Sequence, residues 1–166
     1  MKHDELLHTL SELAAERLAL LLRHEAGARS VGHYDFNNTY QHVVSREETQ
    51  LGWLRTALAE LGATLPPAAS TLPIPVGPAP SKGAAPDRAI LEDDARHLHQ
   101  FVERWRDRVE AMTQDRHRIM LNVILGESIE HQRLFEQAAS GFEDVLGRRT
   151  GGVARVGEVL STRWVE

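Results

Sequence analysis

All seven prolines of this chain fall between residues 63 and 89. Proline lacks a backbone N–H and clashes with the preceding helical turn, so this stretch, mixed with Ala, Gly and Ser, is expected to run extended. Proline-free sequence flanks it on both sides, with apolar residues at helical spacing. About 25 extended residues reach up to roughly 80 Å. A helix of about 24 residues is only roughly 36 Å long, and antiparallel neighbours need about 2–8 linking residues. A connection of this length suits a crossover that runs the full length of a bundle and joins two helices pointing the same way. A floppy insertion is the alternative.

Before the crossover, Leu6, Leu10, Leu13 and Leu20, flanked by Leu7, Ala14, Leu18 and Leu21, make a wide apolar stripe. It predicts a helix over about 4–26, stopped by Gly27, with a loop over 27–38. Val43, Glu47, Gln50, Leu54, Leu58 and Leu61 predict a second helix over about 39–61, stopped by Gly62. After the crossover, one stripe is Leu91, Asp94, Leu98, Phe101, Trp105 and Met112. The next is Met120, Ile124, Glu127, His131, Leu134, Ala138, Phe142 and Val145. One unbroken helix from Ala89 to Gly147 would be roughly 85 Å long, too long for one small domain. A break near Met112–Asp115, with Thr113 or Asp115 as the next N-cap, divides it into helices over about 90–112 and 115–146. The expected fold is all-α: an antiparallel four-helix bundle over 1–147 with a crossover at 63–89, and a C-terminal arm over 148–166.

Composition narrows the function. There are 24 acidic and 19 basic residues, a net charge of −5, which argues against a nucleic-acid partner. The absence of cysteine excludes disulfides, Cys-ligated zinc and iron–sulfur clusters. The N-terminus is charged and no apolar run approaches the roughly 20 residues of a membrane span, so a cytoplasmic location is expected. No Gly-rich phosphate loop and no Gly-x-Ser-x-Gly elbow is present. His97 and His99 read as surface residues; Trp53, Trp105 and Trp164 read as packing anchors.

What interrupts the apolar stripes carries the chemistry. Glu47 and Gln50 sit on the inner face of helix 2, Asp94 inside helix 3, and Glu127 and His131 inside helix 4 with Glu130 at the edge. Helix 1 offers Glu16 beside its stripe, with His24 further on. Buried carboxylates need a cation, an arginine or shared protons. A two-metal carboxylate site satisfies them, with iron or manganese taking oxygen and imidazole ligands. Arg17, on the inner stripe of helix 1, satisfies them equally by pairing with Glu47 or Glu127 and leaving the core metal-free.

At these residues the sequence resembles the ferritin-like superfamily, which includes rubrerythrins and bacterioferritins. EETQLGWLRTALAELG resembles that family's second helix, normally Glu-x-x-His, and GESIEHQRLFEQAASG resembles its fourth. The two also resemble each other: Glu47-x-x-Gln50 then Leu54 aligns with Glu127-x-x-Glu130 then Leu134. The resemblance implies Glu47 and Glu127 as bridging carboxylates, Glu16 and Asp94 as ligands from helices 1 and 3, and Gln50 and Glu130 in the histidine slots. His131 stands next to the second slot. Both histidines of the pattern are replaced, so the sequence resembles the fold more closely than the site. A second resemblance is to DinB-like bundles, which implies one zinc or nickel held by His42, His131 and Glu127. Three functions follow as expectations: an altered di-iron or di-manganese protein, a metal-free homodimeric scaffold, and a single-metal bundle.

Overall fold

The computed structural model describes residues 2–75 and 86–147, so the expected arm over 148–166, with Trp164, lies outside the described residues. Four helices form: α1 (His3–Ser30), α2 (Tyr34–Glu60), α3 (Pro86–Glu110) and α4 (Asp115–Ala139). No strand occurs among the described residues. Leu10, Leu13, Leu54, Leu58, Leu91, Leu98 and Trp105 are fully buried where the four stripes meet. Each buried leucine is worth roughly 1.5–3 kcal/mol. No helix among the described residues is long and apolar enough to cross a membrane.

Interhelical pairs fix the directions. Glu12 pairs with Arg108, and Arg23 with Asp93, so α1 and α3 run antiparallel. Arg46 pairs with Glu127, and Glu60 with Arg116, so α2 and α4 do too. Arg17 reaches Gln50 and His24 reaches Glu47, which sets α1 against α2. Helices α2 and α3 therefore point the same way. The start of α3 is tied to the α1–α2 corner, where the Asp87 carboxylate accepts the backbone N–H groups of Gly32 and His33. The end of α2 lies beside Arg116, at the start of α4. Residues 61–85 thus link opposite ends of the bundle. Their described part lies along α1, with Ala69 N–H donating to Ala15 O at 2.9 Å and Leu65, Leu72 and Ile74 packed on the core.

The helix ends differ from the expected ones for local reasons. Gly27 does not stop α1; it lies buried inside it. A Cβ there would sit 2.6 Å from Tyr40 Cε1, so glycine at this position lets the Tyr40 ring pack against the α1 backbone. The expected loop over 27–38 shrinks to Val31–His33 because the His33 ring caps α2, accepting the Asp35 N–H at 3.2 Å. The last proline, Pro86, opens α3, since the first helical position has no use for the missing N–H. Neither Thr113 nor Asp115 caps α4; Gln114 holds that place, without a side-chain capping bond. Helix α4 ends at Ala139 rather than near 146, because Gly141 turns left-handed at φ 97°. Phe142, expected inside, is consequently exposed. Gly62, at φ 78°, closes α2 as expected.

Two glycines give opposite expectations in thermal or denaturant unfolding. Gly27→Ala forces its methyl into the immobile Tyr40 ring and lowers stability by about 1–3 kcal/mol. Gly52→Ala, inside α2 with open space around its Cβ, raises stability by about 0.5–1 kcal/mol.

Candidate functional site

Arg17 and His24 lie seven residues apart in α1, two turns along the face that also carries Leu13 and Leu20, so both are driven into the core. Arg17 is fully buried. Its Nη2 lies 2.9 Å from Glu47 Oε1. Its Nη1 donates to Gln50 Oε1 at 3.1 Å and to Ser128 Oγ at 2.9 Å. The guanidinium carbon lies 4.7 Å from the centre of the Phe101 ring, so an aromatic face closes the remaining side. One α1 side chain thus binds residues of α2 and α4 and rests on α3.

His24 continues the network. Its Nδ1 lies 2.8 and 3.0 Å from the two oxygens of Glu47, and its Nε2 lies 3.6 Å from Asp94 Oδ1. Asp94 accepts a hydrogen bond from the Tyr40 hydroxyl and pairs with Arg23 Nη1 at 3.5 Å. Arg23 Nη2 in turn reaches Asp93 at 3.0 Å. On the other flank Gln50 Nε2 donates to Glu127, whose second oxygen takes Arg46 Nη2 at 2.6 Å. The result is one polar seam through the apolar core, with a fixed cation beside each carboxylate.

The residues singled out from the sequence divide into two groups. Glu47, Gln50, Asp94 and His131 are buried, and Glu127 borders them with 26% of its side chain exposed. Glu16 is not with them: it lies in the α1–α3 seam, accepting from Arg104 Nη1 at 2.7 Å and Trp105 Nε1 at 3.1 Å. Glu130 points to solvent, its side chain 62% exposed and 3.5 Å from Arg133. The buried residues of α4 are Leu121, Ile124, Leu125, Ser128, His131, Leu134, Phe135 and Ala138; Ile124, His131, Leu134 and Ala138 of the expected stripe are among them, while Ser128 takes the inward place expected of Glu127. The inner polar pair on α4 is therefore Ser128–His131, where Glu127 and His131 were expected inside with Glu130 at the edge. His42 is half-buried, its ring 6.0 Å from that of His131 and edge-on to it. Sequence reasoning missed Tyr40, Arg23, Arg46 and Ser128. Tyr40 stands one turn before Val43, inside the expected second helix; it is passed over because the inner stripe reads as beginning at Val43.

Electrostatics follow from this geometry. Burial alone would raise the Glu47 pKa, but His24 and Arg17 outweigh it and hold the carboxyl below its ordinary value. With Glu47 ionised, His24 Nδ1 carries the hydrogen it shares with that carboxylate. Burial lifts the Asp94 pKa, and His24, Arg23 and the Tyr40 hydroxyl offset this only in part. Burial and the adjacent Asp94 carboxyl both drive the Tyr40 pKa up. Burial lowers the Arg17 pKa, opposed by Glu47 and Glu127. These groups do not fit a two-metal centre. The carboxylates that would bridge metals already bond to guanidinium, amide or imidazole hydrogens, and the α4 position facing Arg17 is Ser128, a neutral hydroxyl. Among the described residues, the one group of three donors close enough to share an ion lies elsewhere, at His33, Asp35 and Glu143.

The fold is that of the ferritin-like four-helix bundles. A similar solved structure is described as a ferritin-like, diiron-carboxylate protein from Bacillus anthracis str. Ames. It matches with a TM-score of 0.50 and 16% sequence identity, over 87% of this chain and 96% of that one. At that identity the likeness speaks for the fold alone. No protein-family model matches the sequence, and no curated protein shows significant similarity to it.

Burial pushes the His131 pKa down to about 4, with Glu47 opposing, against an ordinary value of 6.5. The folded state keeps this ring neutral where the unfolded chain takes up a proton. Its effect is absent above about pH 6.5 and removes stability as pH falls towards 4, by roughly 3 kcal/mol at most. Asp94, whose carboxyl holds its proton more tightly when folded, works in the opposite sense and favours the folded state at low pH. Denaturant unfolding between pH 7 and 4 should show a declining stability, and His131→Gln should flatten that decline. An unchanged slope in the variant would assign it to other groups.

Proposed function

We propose that this chain is a metal-free ferritin-like scaffold: its carboxylate-bearing core is neutralised by its own arginine, and it acts through its outer surface as a homodimer. The single observation that supports this reading is the place of Arg17, which pairs with Glu47 and donates to Gln50 and Ser128 at the centre of the bundle. An ion between Glu47 and Glu127 would have to displace a buried guanidinium or share the space with it, and two cations a few ångströms apart in low dielectric repel strongly. Surface action is supported by Ile119 and Val123, exposed at i, i+4 on the outer face of α4. The di-iron or di-manganese reading keeps the resemblance of fold, but it requires Arg17 to leave.

One observation favours a second reading. His131 is 2% exposed and its Nδ1 has no hydrogen-bond partner. Rotation of the His42 ring beside it, with Glu127 one turn before His131 on α4, would make the single-metal site that the DinB-like resemblance implies.

Elemental analysis separates these readings. Protein purified without chelators, then loaded anaerobically with ferrous iron and desalted, should retain far less than one iron or manganese per chain, and it should not accelerate ferrous oxidation by dioxygen. About two metals per chain, lost in both Glu47→Ala and Glu127→Ala, would replace the scaffold reading with the di-metal one. One zinc or nickel, lost in His42→Ala and in His131→Ala, would replace it with the single-metal one.

A further inference from the structure

The described part of the crossover lies along α1, whereas the α2–α4 side of the bundle carries exposed apolar residues. On α4, Ile119 is 61% and Val123 43% exposed, next to half-buried Met120. Arg116, Ile119, Val123, Gly126 and Glu130 follow one another in alternating steps of three and four residues. Such steps keep to one line along a helix. This outer line is separate from the inward one of Leu121, Ile124, Ser128 and His131. We propose that it is the interface between two copies of the chain, packed antiparallel about a two-fold axis at Val123; the inference deepens the homodimeric scaffold reading and rests on it.

Charge selects the occupant. Arg116 and Glu130 each lie seven residues from Val123, one on either side. An antiparallel second copy with its Val123 against this one therefore brings its Glu130 to Arg116 and its Arg116 to Glu130. The line is complementary to itself, as an isologous interface requires. A parallel pair would instead set Arg116 against Arg116 and Glu130 against Glu130. Within one copy Arg116 pairs with Glu60 at 2.9 Å and Glu130 with Arg133 at 3.5 Å. The Arg116 and Glu130 side chains stay 71% and 62% exposed in those pairs, so each has room for a second partner.

Two further features fit the second copy. In the antiparallel register Gly126 stands opposite Met120. A Cβ at Gly126 would meet nothing within 4 Å, so packing within one copy does not call for glycine there. Glycine inside a helix weakens it relative to alanine, and the bare backbone gives the long Met120 side chain of the other copy a place to lie. At the Arg116 end, neither ring nitrogen of His117 has a hydrogen-bond partner among the described residues. His117 lines a cavity of about 230 Å³ together with Arg116, Trp53, Thr56 and Met120. Glu130 of the other copy arrives at this end and brings an acceptor for a ring N–H.

Sedimentation of the full chain tests this. The wild-type protein should form a dimer at micromolar concentration, and Val123→Glu should weaken it at least about thirtyfold while keeping the helical circular-dichroism signal. Arg116→Glu and Glu130→Arg should each dimerise roughly tenfold more weakly alone. Mixed in equal amounts, these two variants should form heterodimers as tight as the wild-type dimer, because every charge then faces its opposite. Val123→Cys, in a chain with no other cysteine, should oxidise to a covalent dimer, and Arg96→Cys on α3 should not. A dimer undiminished in Val123→Glu, or no heterodimer on mixing, overturns the interface. A monomeric wild-type protein overturns it together with the homodimer part of the scaffold reading. A monomer whose Val123→Cys thiol resists a thiol reagent does the same and assigns the line to another segment of the same chain. Two metals per chain retained by a dimer that Val123→Glu still splits would support the interface and overturn the metal-free core, so the two failures are distinguishable.

Discussion

A guanidinium placed among four helices with no water around it governs how this core is built. Arg17 is one of the largest fully buried side chains, and every neighbour within bonding reach is an acceptor or an aromatic face. An unpaired charge in such a place costs several kcal/mol, whereas a well-bonded pair roughly breaks even. Glu47 answers Arg17, His24 answers Glu47, Asp94 faces His24, and Tyr40 and Arg23 answer Asp94. Each residue in the chain is needed because its predecessor is buried. The bundle geometry follows, because Arg17 meets its partners only when α1, α2 and α4 stand in one register.

The same network links fold to chemistry. A four-helix bundle with acids turned inwards can hold metal ions, and the solved structure that this fold resembles is described as a diiron-carboxylate protein. Here the acids keep their inward positions while the cations are part of the chain. The hydrogen bonds that hold Glu47 ionised also leave it few lone pairs for a ligand role. His131 stands at the edge of the seam, its pKa pushed down by burial.

Much of the fold was legible because the patterns behind it are local. Apolar spacing marked four helices, and the cluster of prolines marked the one long connection. The helix ends were less legible. Gly27 reads as a stop in any sequence window; only the Tyr40 ring lying against it explains a glycine inside α1. The candidate site was half legible. Glu47, Gln50, Asp94 and His131 lie on apolar stripes and are buried, and the Arg17–Glu47 pair was one of the two ways foreseen of satisfying them. Glu16, read beside its stripe, and Glu130, read at the edge of its face, stand apart from the buried group, because one residue of helical rotation, about 100°, separates an inward side chain from an outward one. The His33–Asp35–Glu143 group had no signal at all, since it joins residues more than a hundred positions apart through the corner where the chain enters α2.

Arg17 and Glu47 stabilise each other inside the core, and a double-mutant cycle reads that directly. Arg17→Met, Glu47→Leu and the double variant should be compared with the parent protein by denaturant unfolding at pH 7. Each single change should cost about 3–5 kcal/mol by stranding a buried charge, and the double variant should recover at least about 2 kcal/mol relative to their sum. Costs that add to within about 0.5 kcal/mol would contradict the account, because two residues that do not feel each other cannot be the pair that neutralises the core.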